Sequence, residues 1–144
     1  MRINHINIVV SNLEEAARFF QLLGFTRIRE KTISGPWLDT VTGLSGAEAR
    51  YAALYHPDSP TALELLQYIS PEGRAGGETT RANQIGYRHI ALEVERIEET
   101  AAVLEENGYH CTSAAVTNSY GHSMRYAIGP DGILVELLQL KQDV

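Results

Sequence analysis

The sequence predicts an α+β fold made of two copies of one unit, a strand, a helix and three further strands (βαβββ). Three observations predict it. Residues Arg2 to Phe25 and Gly86 to Tyr109 lie over one another without a gap at a constant offset of 84. Each copy opens on an alternating apolar run and passes into apolar residues at helical spacing. Later in each copy the tetrapeptide Glu-Leu-Leu-Gln recurs, as Glu64 to Gln67 and Glu136 to Gln139, at an offset of 72, so the second copy is 12 residues shorter in between.

The elements follow in order. Ile3 to Val10 alternates as a half-buried strand does. Ser11 or Asn12 can then accept an amide hydrogen at a helix start, with Glu14 and Glu15 in the first turn and Ala16, Phe19, Phe20 and Leu23 at helical spacing. Gly24 stands where a left-handed C-cap is needed. Strands are expected at Thr26 to Glu30, Ala49 to Tyr55 and Thr61 to Tyr68, with the irregular stretch Ser34 to Ala47 between the first two. The second copy offers strand His89 to Val94, a helix from Ile97 ending at Gly108, and strands Tyr109 to Ser113, Ser123 to Ile128 and Ile133 to Leu140, with Gly129-Pro130-Asp131-Gly132 as the last turn. The expected organisation is a first module over residues 1–70, a glycine-containing linker over 71–84 and a second module over 85–144.

Composition excludes several classes. At 144 residues the chain is 44% hydrophobic, 8% aromatic and 21% charged, an ordinary globular composition. Lys plus Arg number 12 against 18 Asp plus Glu, a net charge of -6 with no basic cluster, which speaks against a nucleic-acid partner. The single Cys111 cannot form an internal disulfide. No apolar run reaches the roughly 20 residues that span a bilayer, and the N-terminus enters an alternating run without a signal-peptide pattern. The expectation is a cytoplasmic protein without a membrane partner.

Two histidines and two glutamates fall at matching positions. Along a strand, His5 shares its face with Asn7 and Val9, and Glu64 with Ala62, Leu66 and Tyr68; His89 shares its face with Ala91 and Glu93, and Glu136 with Leu134 and Leu138. A carboxylate between Leu63 and Leu65, or between Val135 and Leu137, carries a desolvation cost that a partner or a metal must offset. Packing of the two copies about a pseudo-twofold axis would gather two imidazoles and two carboxylates, a donor set for Zn, Ni, Co, Mn or Fe(II) rather than calcium.

On these residues the chain resembles the vicinal oxygen chelate superfamily, which includes glyoxalase I, bleomycin and fosfomycin resistance proteins, extradiol dioxygenases and methylmalonyl-CoA epimerase. The stretches that carry the resemblance are Arg2-Ile3-Asn4-His5, Leu63-Glu64-Leu65, Tyr87-Arg88-His89-Ile90-Ala91-Leu92, and Gly129-Pro130-Asp131-Gly132 followed by Val135-Glu136-Leu137. It implies paired βαβββ modules whose mixed sheet curves into a cup around a divalent metal held by His5, Glu64, His89 and Glu136. The chemistry implied is Lewis-acid stabilisation of a metal-bound enediolate, with a carboxylate moving a proton between adjacent carbons. Glu136 is the first choice for that base and Glu64 the second. The ligand set looks most like that of glyoxalase I. Bacterial enzymes of that kind hold glutathione with an arginine and an asparagine where Val9 and Tyr68 stand here, which points away from lactoylglutathione lyase itself.

The function expected is therefore a metal-dependent, glyoxalase-like lyase or isomerase acting on a small hydroxycarbonyl compound, as a homodimer. The alternatives are an epimerase of the same superfamily acting on a polyol ketone or acyl thioester, and a metal-free resistance or binding protein. Further candidate substrate contacts are Trp37 in the long loop, Tyr68 and Glu93 on the faces of the glutamate and the histidine, Tyr120 and His122 before the penultimate strand, and Arg125 and Tyr126 on it. For Arg125 a surface position is the expected alternative.

Overall fold

A computed structural model describes residues 1–75 and 81–142. Backbone contacts divide the chain into two units, Met1–Ala75 and Gly76–Val144. Part of the expected linker, residues 76–80, lies outside the described residues.

The first unit contains β1 (His5–Val9), α1 (Leu13–Leu22), β2 (Thr26–Ser34), α2 (Pro36–Thr42), β3 (Glu48–Tyr55) and β4 (Ala62–Ser70). Its sheet has the order β1-β4-β3-β2, with β1 parallel to β4 and the other pairs antiparallel. The second unit repeats this plan with β5 (His89–Glu93), α3 (Ile97–Glu106), β6 (His110–Cys111), β7 (Val116–Thr117), β8 (Ser123–Ile128) and β9 (Leu134–Gln139). Here the order is β5-β9-β8-β6, with β7 also pairing β8. Both units are thus α+β with a mixed sheet.

One face of each sheet is covered by a helix. Leu13, Ala16, Ala17, Phe19 and Phe20 of α1 are buried together with Ala52, Leu54, Leu63 and Leu65 of the sheet. Full burial of each large side chain removes enough apolar surface to stabilise the unit by about 1.5–3 kcal/mol. In the second unit Ile97, Ala101 and Leu104 of α3 are buried, as are Ala127, Val135 and Leu137 of the sheet. Strand alternation sends Glu64 and Glu136 to the opposite, helix-free face of their sheets.

The repeated Glu-Leu-Leu-Gln now has a physical reading. Its second residue, Leu65 or Leu137, is fully buried on the helix side. Its last, on that same side, caps the helix: Gln67 Oε1 accepts from the Leu13 amide at 3.1 Å, and Gln139 Oε1 from the Ile97 amide at 2.9 Å. Asn12 caps α1 as well, accepting from the Glu14 and Glu15 amides.

Two expectations change. The stretch expected to be irregular between residues 34 and 47 holds α2, with Pro36 at its start and Gly43 in the left-handed conformation (φ 70°) at its end. The carboxylate of Asp39 closes the following turn by accepting from the Gly46 and Ala47 amides. The strand expected over residues 109–113 is only His110–Cys111, and pairing with β8 resumes at Val116. Between them the Ser113 hydroxyl donates to the Ala114 carbonyl, a local bond that competes with the ladder.

Candidate functional site

The site residues are set by parallel pairing. In the first unit His5 stands opposite Ala62 and Asn7 opposite Glu64, so His5 and Glu64 are diagonal neighbours on the helix-free face. The second unit repeats the register: His89 stands opposite Leu134 and Ala91 opposite Glu136. The resulting contacts match. His5 Nε2 lies 3.4 Å from Glu64 Oε2, and His89 Nε2 lies 3.1 Å from Glu136 Oε2. All four side chains are part exposed, and so reachable by a ligand.

These distances suit metal ligation. Two ligand atoms bound about 2.0–2.2 Å from one ion at tetrahedral or octahedral angles lie about 2.8–3.6 Å apart. The chemistry of the donors also fits. Asn4 Oδ1 accepts from His5 Nδ1 at 2.9 Å, which orients the ring with Nε2 toward Glu64. Among the described residues no group of three or more His, Cys, Asp or Glu side chains is close enough to hold a metal within it.

The surroundings of the two pairs differ. Tyr51, on β3, donates its hydroxyl hydrogen to Glu64 Oε1 at 2.8 Å. Burial, and then the Glu64 carboxylate, push its phenol up to about 12, so it remains a donor at neutral pH. In the second unit Tyr126 stands opposite Glu136, and its ring tilts against His89 with centroids 5.3 Å apart. The residue at that register in the first unit is Ala53.

The other candidates are placed as follows. Tyr68 lies on the Glu64 face, opposite Ala49, and Glu93 on the His89 face, opposite Leu138. Trp37 is on α2 and is 56% exposed. Tyr120 is in the turn before β8, where Asn118 Oδ1 accepts from the Tyr120 and His122 amides. His122 Nδ1 accepts from the Lys141 amide, which occupies that ring nitrogen. Arg125 requires a correction: it is neither at the surface nor on the Glu136 face. It lies beneath α3, 8% exposed, donating to Glu98 and Glu105 at 3.0 Å each. Sequence reasoning missed Tyr51. Its tyrosine in the alternating run Ala49 to Tyr55 was visible, but not which residue it would meet on the next strand.

The chain matches the sequence model described as Glyoxalase/Bleomycin resistance protein/Dioxygenase superfamily over residues 2–137. No curated protein matches it. Among solved structures it is similar to a glyoxalase family protein from Bacillus cereus, 28% identical with a TM-score of 0.91, covering 98% of this chain and 95% of that one. It is also similar to a glyoxalase family protein from Enterococcus faecalis, 25% identical with a TM-score of 0.63, over 95% of this chain and 96% of that one. A trypanothione-dependent glyoxalase I from Leishmania major, 23% identical with a TM-score of 0.64, shares the fold over 96% of this chain and 86% of that one.

Proposed function

The chain belongs to the glyoxalase/bleomycin resistance protein/dioxygenase superfamily, and from that premise we propose that it is a metal-dependent lyase or isomerase acting on a small hydroxycarbonyl compound. The observation that carries the reading is the repetition of one contact, His5 with Glu64 and His89 with Glu136, at the same register in both units. A structural ion pair need not be duplicated in both units, at the same register, on a face left open to ligands. Glyoxalase I activity is carried on this fold by the Leishmania major protein.

His5, Glu64, His89 and Glu136 are the residues that would hold a divalent ion, with Zn, Ni, Co, Mn and Fe(II) all compatible with two imidazoles and two carboxylates. Such an ion, when bound, supplies Lewis-acid stabilisation of negative charge on neighbouring substrate oxygens. The chain supplies the proton transfer. Glu136 takes a proton from the carbon beside the carbonyl and returns it to the adjacent carbon, acting first as base and then as acid. The ring of Tyr126 holds the imidazole of His89 beside it. Tyr68 and Glu93, on the same faces as the two glutamates and histidines, are the proposed substrate contacts.

The test is metal content and exchange chemistry on protein purified without a metal-affinity tag. The expected result is a stoichiometric transition metal, lost in His5→Ala and in His89→Ala. The metal-loaded protein should also exchange the substrate's α-hydrogen with D2O, and Glu136→Gln should abolish that exchange. Absence of metal, with no rise in unfolding temperature when each of the five ions is added, would overturn the reading in favour of a metal-free binding protein.

A further inference from the structure

The two units agree in register but not in what stands beside their glutamates. Tyr51 of β3 lies opposite Leu66 of β4, and Met124 of β8 lies opposite Leu138 of β9. Leu66 and Leu138 each follow their glutamate by two residues. One structural position therefore carries a phenol in the first unit and a thioether in the second. The phenol reaches Glu64 Oε1 at 2.8 Å, whereas a thioether has no hydrogen to donate. The Tyr51 ring is itself braced. Lys31, opposite it on β2, places Nζ 5.5 Å from the ring centroid.

We propose that Tyr51 is a positioning residue that fixes the orientation of Glu64 for metal ligation, a brace that the matching position beside Glu136, Met124, does not supply. The inference rests on the metal reading above. Both oxygens of Glu64 are assigned: Oε1 is held by the phenol, and Oε2 faces His5 Nε2 at 3.4 Å. Rotating that carboxylate breaks the phenol bond. The sequence difference between the two units, Tyr51 against Met124, thus gives unlike surroundings to two glutamates that the repeat would otherwise make equivalent.

The test titrates Co(II) into metal-free wild-type protein, Tyr51→Phe and, as a matched control, Met124→Leu, recording affinity and the visible absorption of the bound ion. Unfolding temperatures of the metal-free proteins establish that each variant is folded. Tyr51→Phe is expected to weaken Co(II) binding by about 10- to 100-fold, the usual effect of removing a partner that orients a ligand, and to alter the absorption bands as Glu64 becomes free to rotate. Met124→Leu is expected to leave both unchanged. Wild-type affinity and spectrum in a folded Tyr51→Phe protein would overturn the positioning role while leaving the metal reading intact. No Co(II) binding by the wild type would overturn the metal reading, and this inference with it.

Discussion

The imidazole of His89 is packed against the phenol ring of Tyr126 at a tilt of 55°, and Tyr126 in turn stands opposite Glu136 on the neighbouring strand. One aromatic ring thus borders both members of the second pair. Removing it in Tyr126→Ala is expected to lose the ring contact, worth about 0.5–1.5 kcal/mol, together with the apolar area the ring covers. Metal affinity should fall because His89 gains rotational freedom, while Tyr126→Phe, which keeps the ring, should preserve both. Urea unfolding and Zn titration of the two variants check this. Equal behaviour of the Ala and Phe variants would rule it out.

Arg125 is a structural residue, and its removal should be felt in stability rather than in substrate affinity. Its guanidinium joins Glu98 and Glu105, two turns apart on α3, to the sheet. Both carboxylates are about half exposed or more, so water takes over when the arginine is lost, and no charge is stranded in the interior. Solvent screening and the buried Arg125 Nε, which has no hydrogen-bond partner among the described residues, limit what the cluster contributes. The expected cost of Arg125→Met is about 1–2 kcal/mol. Arg125→Lys should restore only part of it, because one ammonium does not span both glutamates. An unchanged KM in both variants is part of the expectation.

The contrast between what was legible and what was not follows from the range of the interactions. Asn12, Gly24 and Gly108 act within their own helix ends, and their roles could be read from neighbouring residues. The Glu-Leu-Leu-Gln repeat marked the strand, and the matched histidines and glutamates marked the two pairs that meet across β1–β4 and β5–β9. The position of Arg125 was not readable. In Ser123–Ile128 the apolar Met124, Tyr126 and Ile128 form the open face, while Arg125 and Ala127 turn toward the helix, so the apolar alternation alone does not tell which side packs on α3. Tyr51 was missed because its partner is 13 residues away and is met only once the register of β3 on β4 is known. The helix α2 was hidden by Gly35, Pro36, Gly43 and Gly46, which read as loop residues one by one, although Pro at the start and Gly at the end together mark a short helix.

Acid should weaken the first unit through a charge cluster on its helix side. Arg27 and Arg50 each bridge Glu14 and Glu30, at 2.7–2.9 Å. The hydrogen bond from Arg27, then that from Arg50, hold Glu14 below its usual value of 4.5, and the same two arginines in the reverse order lower Glu30. A carboxylate with a depressed value in the folded state stabilises fully above its unfolded value, and that contribution disappears as pH falls through the folded one. The unfolding temperature should therefore drop as pH is lowered below the ordinary carboxylate value of 4.5, and less steeply in a Glu14→Gln, Glu30→Gln double variant. Because the cluster is exposed, 1 M salt should flatten the difference. Parallel pH profiles for the two proteins would show that other carboxylates govern acid stability.

The two glutamine caps should be unequal in weight. At the start of α1 the Leu13 amide is met by Gln67, and the next amides by Asn12. At the start of α3 the residue in the Asn12 position is Arg96, whose side chain makes no capping bond, so the Ile97 amide depends on Gln139. Both amides are part buried, and leaving one without an acceptor costs about 1–3 kcal/mol. Gln139→Leu is therefore expected near the upper end of that range and Gln67→Leu near the lower, since Asn12 still anchors the first turn of α1. Amide hydrogen exchange reads the difference locally. The first turn of α3 should exchange at least about tenfold faster in Gln139→Leu, a factor that corresponds to roughly 1.4 kcal/mol. The first turn of α1 should change less in Gln67→Leu. Equal acceleration at both helices would mean that Asn12 contributes nothing beyond the glutamine.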